Sequence, residues 1–450
     1  MRTLEKLRAL TAAIRGNRFQ SSRLAALGDI TSVADFTARV PFTTKAELVA
    51  DHAAHPPFGS NLTFPRAAYT RFCQTSGTTA LPLAILDTAE SWDWMLGNWA
   101  RIYRECGIAP GDCVYFAFSF GPFLGFWTAF EGAAKYGCLC IPGGGLSSAA
   151  RIRGIVQHRA EVLLCTPTYA LHLAEVAARE GVDLRSSAVR KIFVAGEPGG
   201  SVPAVRERIS AAWNGAEVLD HYGMTEVGPV AFQRSAARPA GHNATAQPHF
   251  EVALRAREVA GGDASAPLGG APSLHIIEES YFAEIIDPKS GAAVADGETG
   301  ELVLTPLGRE ANPLLRYRTG DLVRRRAEQA GRLSDSGRRV ACPTPAGGFV
   351  LEGGILGRAD DMLVVRGVNI FPSAVDAVVR AFPEVAEYRV HVSRTGEMTE
   401  LSIEVESDDE HIAARVAAKF NEAFTLRIPV TRVANGTLPR FELKARRWQR

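Results

Sequence analysis

The sequence predicts an α/β fold: a large N-terminal α/β domain with a β-rich subdomain, followed by a small C-terminal α+β domain. Three observations lead there. Between residues 110 and 230 short apolar runs alternate with helical stretches, the signature of a layered sheet with crossover helices. From residue 274 strand-like runs follow one another with only tight turns between them. The last 90 residues read as helix, two strands, helix, strand.

The elements follow in order. LEKLRALTAAI and KAELVADHAA in the first 70 residues have helical spacing. CVYFAFSF, CLCIP, VLLCTP, KIFVAGE and AEVLDHYG are apolar runs bounded by turn residues, expected as strands of a largely parallel sheet, with TYALHLAEVAARE and VPAVRERISAAW as helices between them. Residues 113 to 130 carry no charge and approach the length of a membrane span. Gly121, Pro122 and Gly125 interrupt that run, so a buried strand, a turn and the start of a buried helix fit better. Residues 231 to 272 are rich in Ala, Gly, Pro and Ser and read as a loop-rich insertion. LHIIEES, YFAEIIDP and GELVLTP, joined by DPKSG and ADGETG, form the β-rich subdomain. Residues 328 to 354 are Gly-rich and irregular. SAVDAVVRAF and HIAARVAAKFNEAF are helices, and EYRVHVS, ELSIEVE and IPVTRV are strands of the C-terminal unit. The boundary falls at GRADD, giving domains 1–358 and 359–450.

Lysine plus arginine number 50 and aspartate plus glutamate 49, so the net charge of +1 argues against a protein defined by electrostatic grip on nucleic acid. At 46 % hydrophobic and 22 % charged, the chain can build an ordinary globular core. Seven cysteines, an odd number without a framework spacing, read as reduced thiols. The N-terminal MRTLEKLRALTAAIRGNRF scatters its charges and lacks a secretory core, so a cytoplasmic protein without a membrane span is expected.

Five segments carry chemistry. Thr75-Ser76-Gly77-Thr78-Thr79 places hydroxyls around a glycine, a composition suited to surrounding an anion with N–H and O–H groups, although alone it also fits a plain polar turn. It is not a Walker loop. Asp220-His221-Tyr222-Gly223-Met224-Thr225-Glu226 follows an apolar strand, where open α/β sheets bind ligands. Tyr317-Arg318-Thr319-Gly320-Asp321 ends on an aspartate able to accept two ribose hydroxyls, or to serve only as a turn aspartate. Gly357-Arg358-Ala359-Asp360-Asp361 lies on the domain boundary, and Lys444 sits in the closing LPRFELKARR.

Together, in this order, TSGTT, AGEPGG, YGMTE, YRTGDL, GRADDMLVVRGVNIFPS and LPRFELKARR resemble the adenylate-forming superfamily, and more narrowly its phenylacetate–CoA ligase branch, from about residue 70 to the end. That resemblance implies the superfamily's fold and a two-step reaction. An aromatic carboxylic acid attacks the α-phosphorus of ATP, giving an acyl-adenylate and pyrophosphate, and the thiol of coenzyme A then displaces AMP. Thr75, Ser76, Gly77, Thr78 and Thr79 would cradle phosphates. Glu226 would ligate Mg²⁺ and Thr225 contact the α-phosphate. Glu197 and Pro198 would border the adenine with Tyr222 stacked on it, within a nucleotide segment that also includes Asp220, His221, Gly223 and Met224. Asp321 would bind ribose, aided by Arg358. Lys444 would bridge the acid and the α-phosphate, Asp360 would be the hinge of a rotating C-terminal domain, and Gly367 would line the pantetheine tunnel. The acid pocket would run past Gly196 and past Phe118, Phe120, Gly121, Phe123, Gly125, Phe126 and Trp127, whose aromatic character suits an aryl or arylacetic acid. Core filling is the alternative for each of those rings.

Departures from the family pattern are visible. Ala80 and Leu83 stand where the phosphate loop usually continues with Gly and then Lys or Thr. Of the branch's structural zinc ligands only His275 and Cys342 match, and two ligands cannot close a tetrahedral site, so no structural zinc is expected. A carrier protein as thiol acceptor, and a non-catalytic nucleotide-binding relative, remain the alternatives. A homodimer is compatible with the resemblance.

Overall fold

The computed structural model describes residues 2–25, 27–75, 82–235, 272–327, 348–359, 363–365, 368–370, 372–395, 398–441 and 447–449. Its centre is an eight-stranded sheet in the order Val350–Glu352, Ser273–Ile276, Gly228–Phe232, Glu217–Met224, Lys191–Val194, Val162–Cys165, Cys113–Phe116, Leu139–Pro142. The last five strands of that order pair in parallel. The first three add on antiparallel. The five runs expected as strands of a largely parallel sheet thus pair in parallel, and the antiparallel strands extend that sheet on one side.

The inner parallel strands Cys113–Phe116, Val162–Cys165 and Lys191–Val194 are buried along their length, because helices cover both faces. Their crossovers start on local signals. Thr166 accepts from the Tyr169 N–H with Pro167 in the first turn of helix Pro167–Arg179. Thr88 caps helix Ala89–Glu105 in the same way. Helix Leu124–Tyr136 ends on Gly137 at φ +103°, a conformation that favours glycine. The charge-free run 113–130 thus divides into strand Cys113–Phe116 and the first half of helix Leu124–Tyr136. Among the described residues no helix is long and apolar enough to cross a membrane.

A four-stranded antiparallel sheet, Tyr281–Ile286, Thr299–Pro306, Tyr317–Arg324, Gly357–Arg358, is the β-rich unit. One expectation changes here. The sequence places LHIIEES with this unit, but strand Ser273–Ile276 extends the large sheet, pairing with Gly228–Phe232. The reason is burial: Leu274 and Ile276 join the same core as Val230 and Phe232. A second change concerns YRTGDL, read as a turn motif. It is a strand throughout, with Asp321 paired opposite Arg358.

A separate core of Val365, Ile370, Val375, Val379, Val390, Ile403, Val405, Ile412, Val416 and Phe420 holds the C-terminal unit. Strands Glu387–Thr395 and Met398–Glu406 form its antiparallel centre, and helices Pro372–Arg380 and Ile412–Phe424 bury their apolar sides on it.

Candidate active site

The YGMTE segment is the tip of a hairpin. Strand Glu217–Met224 turns back through Thr225 and Glu226 into Gly228–Phe232. At Gly223 a Cβ would lie 2.6 Å from the Gly228 carbonyl oxygen, so only glycine lets the two strands close here. Arg309, 0 % exposed at its side chain, clamps this tip. Its Nη1 donates to the carbonyls of Thr225 and Glu226, both at 2.8 Å. Its Nε and Nη2 form a two-pronged pair with Asp87 at 2.8 and 2.6 Å.

Asp87 belongs to strand Ala84–Thr88, which pairs with Tyr69–Gln74, the strand running into the TSGTT segment. The mouth of that loop is tied shut: Thr75 N–H donates to the Leu83 carbonyl at 3.1 Å, and Leu83 N–H donates to Thr75 Oγ1 at 3.0 Å. Leu83 is buried in the main core, which explains an apolar residue at that departure. Ser76, Gly77, Thr78, Thr79 and Ala80, like Asp360, Gly367, Cys342 and Lys444, lie outside the described residues.

On the other side of the tip lies strand Tyr317–Arg324. Tyr317 Oη is 3.5 Å from Glu226 Oε1. Four residues on, Asp321 accepts a hydrogen bond from Tyr222 Oη at 2.6 Å and pairs with Arg358 Nη1 at 3.2 Å. Burial and the facing Asp321 carboxylate push the Tyr222 phenol well above its ordinary value, so it is a donor. Gly320, at φ +76°, lets the Arg358 guanidinium lie against the backbone, since a Cβ there would meet Nη2 at 2.8 Å.

The two residues before Tyr222 face other surroundings. Asp220 receives the Ser201 hydroxyl and lies near Arg206. Burial pushes its carboxyl up to about 6 against those two influences. His221 is buried and stacks on Trp99 at 4.3 Å between centroids. Burial takes its pKa down to about 3, so the ring is neutral at ordinary pH. Glu197, after the left-handed Gly196, accepts the Thr168 N–H at 2.9 Å at the start of helix Pro167–Arg179, with Pro198 next in the same turn.

The Asp220 shift has a measurable consequence. Its folded pKa lies above the ordinary 3.8, so the folded state binds the extra proton between about 4 and 6. Stability contributed by that proton is present at low pH and lost as pH rises through this window. Relative to Asp220→Asn, the wild type is therefore expected to lose stability between pH 4 and 6 and to run parallel above it. Urea unfolding across pH checks this, and a constant difference throughout would contradict it.

The aromatic run forms a cluster beside the sheet edge. Phe118 stacks on Phe126 at 4.3 Å, Phe120 meets Trp127 at 4.9 Å, and Phe123 meets Phe126 edge-on at 6.0 Å. Phe120 and Gly121 take φ +58° and +55°, a sharp turn fastened by Trp127 Nε1 donating to the Gly121 carbonyl at 2.8 Å. A Cβ at Gly125 would meet nothing within 4 Å, so the cluster opens there. Phe118 is buried core, whereas Trp127 is exposed.

The family model described as AMP-binding enzyme matches residues 71–306. The chain belongs to that family. The AMP-binding enzyme C-terminal domain matches residues 367–449. A phenylacetate-coenzyme A ligase of Aromatoleum evansii is 32 % identical over 384 residues, 85 % of this chain and 74 % of that protein. One from Thermus thermophilus is 30 % identical over 428 residues, 90 % and 84 %. A crystal structure of 2-hydroxyisobutyryl-CoA ligase in the postadenylation state with 2-HIB-AMP superposes with a TM-score of 0.81 at 27 % identity, covering 99 % of this chain and 88 % of that one. The same ligase in its thioesterification state, with 2-HIB-AMP and CoA, gives 0.65 at 28 % identity over 99 % and 88 %. The phenylacetate–CoA ligase branch inferred from the motifs is thus the right one.

Motif reading missed residues that contact these segments in this AMP-binding enzyme. Lys45 Nζ lies 3.3 Å from Glu226 Oε1. Helix Lys45–Ala54 starts there on a capping box of Thr44 and Glu47, and Thr43 bridges to Tyr317. The T-x-x-E pattern could have marked the helix start, but not its destination. Arg309 and Asp87 left no local signal. Among the described residues, the buried Glu226 presents its carboxylate to Lys45 and the Tyr317 hydroxyl. One protein carboxylate beside phosphates suits Mg²⁺, which keeps waters and phosphate oxygens as its other ligands. Among the described residues no group of three His, Cys, Asp or Glu could hold a metal by itself, and His275 lies in strand Ser273–Ile276. The six described cysteines are free, with burial pushing Cys73 and Cys138 up to about 12.

Proposed function

We infer that this enzyme is an AMP-forming acid–coenzyme A ligase acting on an aromatic carboxylic acid. The observation that carries the reading is the Arg309 clamp, which joins the hairpin leading into TSGTT to the YGMTE tip, with the Asp321 strand alongside through Tyr317. Phosphate, metal and ribose functions need those three segments side by side. The relatives named phenylacetate-coenzyme A ligase and the aromatic cluster support an aryl or arylacetic acid.

In this reading the acid's carboxylate oxygen bonds to the α-phosphorus as the bond to pyrophosphate breaks. The coenzyme A sulfur then bonds to the acyl carbon as AMP leaves. The first step brings an anion to a polyanion, so the site's task is to hold both in line and offset charge. We assign the ribose hydroxyls to Asp321, held by Tyr222 and Arg358, and the adenine border to Glu197 and Pro198. Thr75 and its loop take the phosphates, and Thr225 the α-phosphate. Glu226 is positioned to hold Mg²⁺, which when bound supplies charge neutralisation at the phosphates. Lys444 approaches the reacting carboxylate from the C-terminal unit, with the hinge at Asp360 and Gly367 on the thiol's path. Support for a hinge there comes from Arg358 pairing in the N-terminal β-sheet, while Val365 already belongs to the C-terminal core.

Acid-dependent pyrophosphate exchange over a broad panel of aryl and arylacetic acids tests the first step. Silence across the panel would sink the enzyme reading. Adding coenzyme A to an accepted acid tests the second, and AMP release without a thioester would exclude coenzyme A in favour of another acceptor such as a carrier protein.

Lys45 is expected to assist ATP binding, because its ammonium stands at the metal-binding carboxylate in a chain whose phosphate loop has an apolar continuation. Lys45→Ala should raise the KM for ATP in pyrophosphate exchange roughly tenfold, the worth of one charge-assisted hydrogen bond. An unchanged KM would remove Lys45 from the site.

A further inference from the structure

Two arginines bracket Lys444 in the sequence, and both reach across to the same helix of the N-terminal body. Arg440 binds its own unit through Glu406, with Nη2 2.6 Å from Oε1, while its Nε lies 3.5 Å from Glu175 Oε2. Arg447 binds the buried Glu387 through Nε at 2.7 Å, while its Nη2 donates to Thr168 Oγ1 at 3.2 Å. Burial would raise the Glu387 carboxyl, but the Arg447 and Arg380 guanidinium groups outweigh it and hold the group low, so it is a firm anchor for Arg447. Thr168 and Glu175 lie two turns apart on helix Pro167–Arg179. A third contact, Arg208 Nη1 donating to the Val385 carbonyl at 3.3 Å, joins the neighbouring helix Pro203–Ala212 to the C-terminal unit.

The state these contacts belong to follows from the comparison with one relative in two arrangements. The chain superposes on its postadenylation state at 0.81 and on its thioesterification state at 0.65. The arrangement in which these contacts form is therefore nearer to the first. Thr168 also ties them to the nucleotide, because its N–H is held by Glu197, assigned above to the adenine border.

We propose that Glu175 and Thr168 are positioning residues: they hold the segment bearing Lys444 in place for adenylation and must release it before thioester formation. This rests on the acid–CoA ligase reading. The grips suit a reversible latch. Each arginine is fixed in its own unit by a strong pair and touches the helix by a longer contact, and the partly exposed Arg440–Glu175 pair is of a kind that is cheap to break.

Glu175→Gln and Thr168→Val, singly and together in the full chain, provide the test. In the double variant pyrophosphate exchange should fall about three- to tenfold, since two contacts of the docked state are lost. Thioester formation from supplied acyl-adenylate and coenzyme A should stay equal or become faster, and Glu175→Asp should recover part of the loss. Hydrogen exchange at the first turn of helix Pro167–Arg179 and along strand Glu387–Thr395, measured without substrates, should speed up. Equal loss in both half-reactions would mean damage to the fold and overturn the proposal. So would unchanged exchange chemistry with unchanged hydrogen exchange. If the wild type adenylates no acid, the ligase reading fails by itself, and hydrogen exchange still decides the latch: faster in the double variant supports it, unchanged overturns it.

Discussion

Arg309→Met should cost about 3–5 kcal/mol of folding stability, the usual penalty for removing one partner of a buried ion pair. Arg309 and Asp87 are 0 % and 1 % exposed at their side chains, so Asp87 would be left as an uncompensated buried carboxylate. The carbonyls of Thr225 and Glu226 would lose their donor in the same step. Asp87→Leu combined with Arg309→Met removes the orphaned charge and should regain part of the stability. It should not regain activity, because the guanidinium that spans Asp87 and the Thr225 and Glu226 carbonyls of the YGMTE tip would be gone. Urea unfolding of both variants, with pyrophosphate exchange alongside, separates the two roles. A single-variant cost below about 1 kcal/mol would show that the clamp is not structural. Arg309→Lys is no substitute, since a point charge cannot span Asp87 and two carbonyls at once.

Asp321→Ala is expected to lower kcat/KM for ATP by roughly 10²–10³-fold, about 3–4 kcal/mol, as two charge-assisted hydrogen bonds to the ribose disappear. The loss should be larger than for Arg358→Ala or Tyr222→Phe, because those side chains act on Asp321 rather than in its place. Both partners would also be left facing a gap, so Asp321→Asn, which keeps the volume, is the cleaner comparison. It should lose most of the same factor with little change in unfolding midpoint. A ribose-modified nucleotide lacking both hydroxyls should be used equally poorly by wild type and variant. If wild type and Asp321→Ala discriminate against it to the same extent, the ribose assignment fails.

Much of the architecture was legible because periodicity reports local burial. The strand at Cys113–Phe116, the helices at Pro167–Arg179 and Pro203–Ala212 and the helix, two strands, helix and strand from Pro372 to Val433 follow from apolar spacing and turn residues, whereas the short strands Leu363–Val365, Val368–Ile370 and Trp448–Gln449 did not. The misplacement of LHIIEES has a physical origin: a strand's sequence records that it is buried, not which sheet edge it joins. YRTGDL misled for a related reason, since Gly320 reads as a turn but sits inside a strand where Arg358 approaches closely.

At the site the residues with motif chemistry were found, and those that assemble the motifs were not. Asp321, Tyr222 and Glu226 announce themselves by type and position. Arg309, Asp87 and Lys45 are ordinary residues in ordinary segments, and their importance lies in partners more than 80 residues away.

By itself the sequence determined the family, the fold class and the order of chemical segments, because those depend on residue type and local spacing. Only the tertiary structure decided which segments meet. It set Arg309 between two motifs, turned Asp220 and His221 into buried groups with displaced pKa values, and placed Arg440 and Arg447 on one helix of the opposite body. Desolvation and long-range pairing depend on distance in space, and sequence separation carries almost no information about that distance.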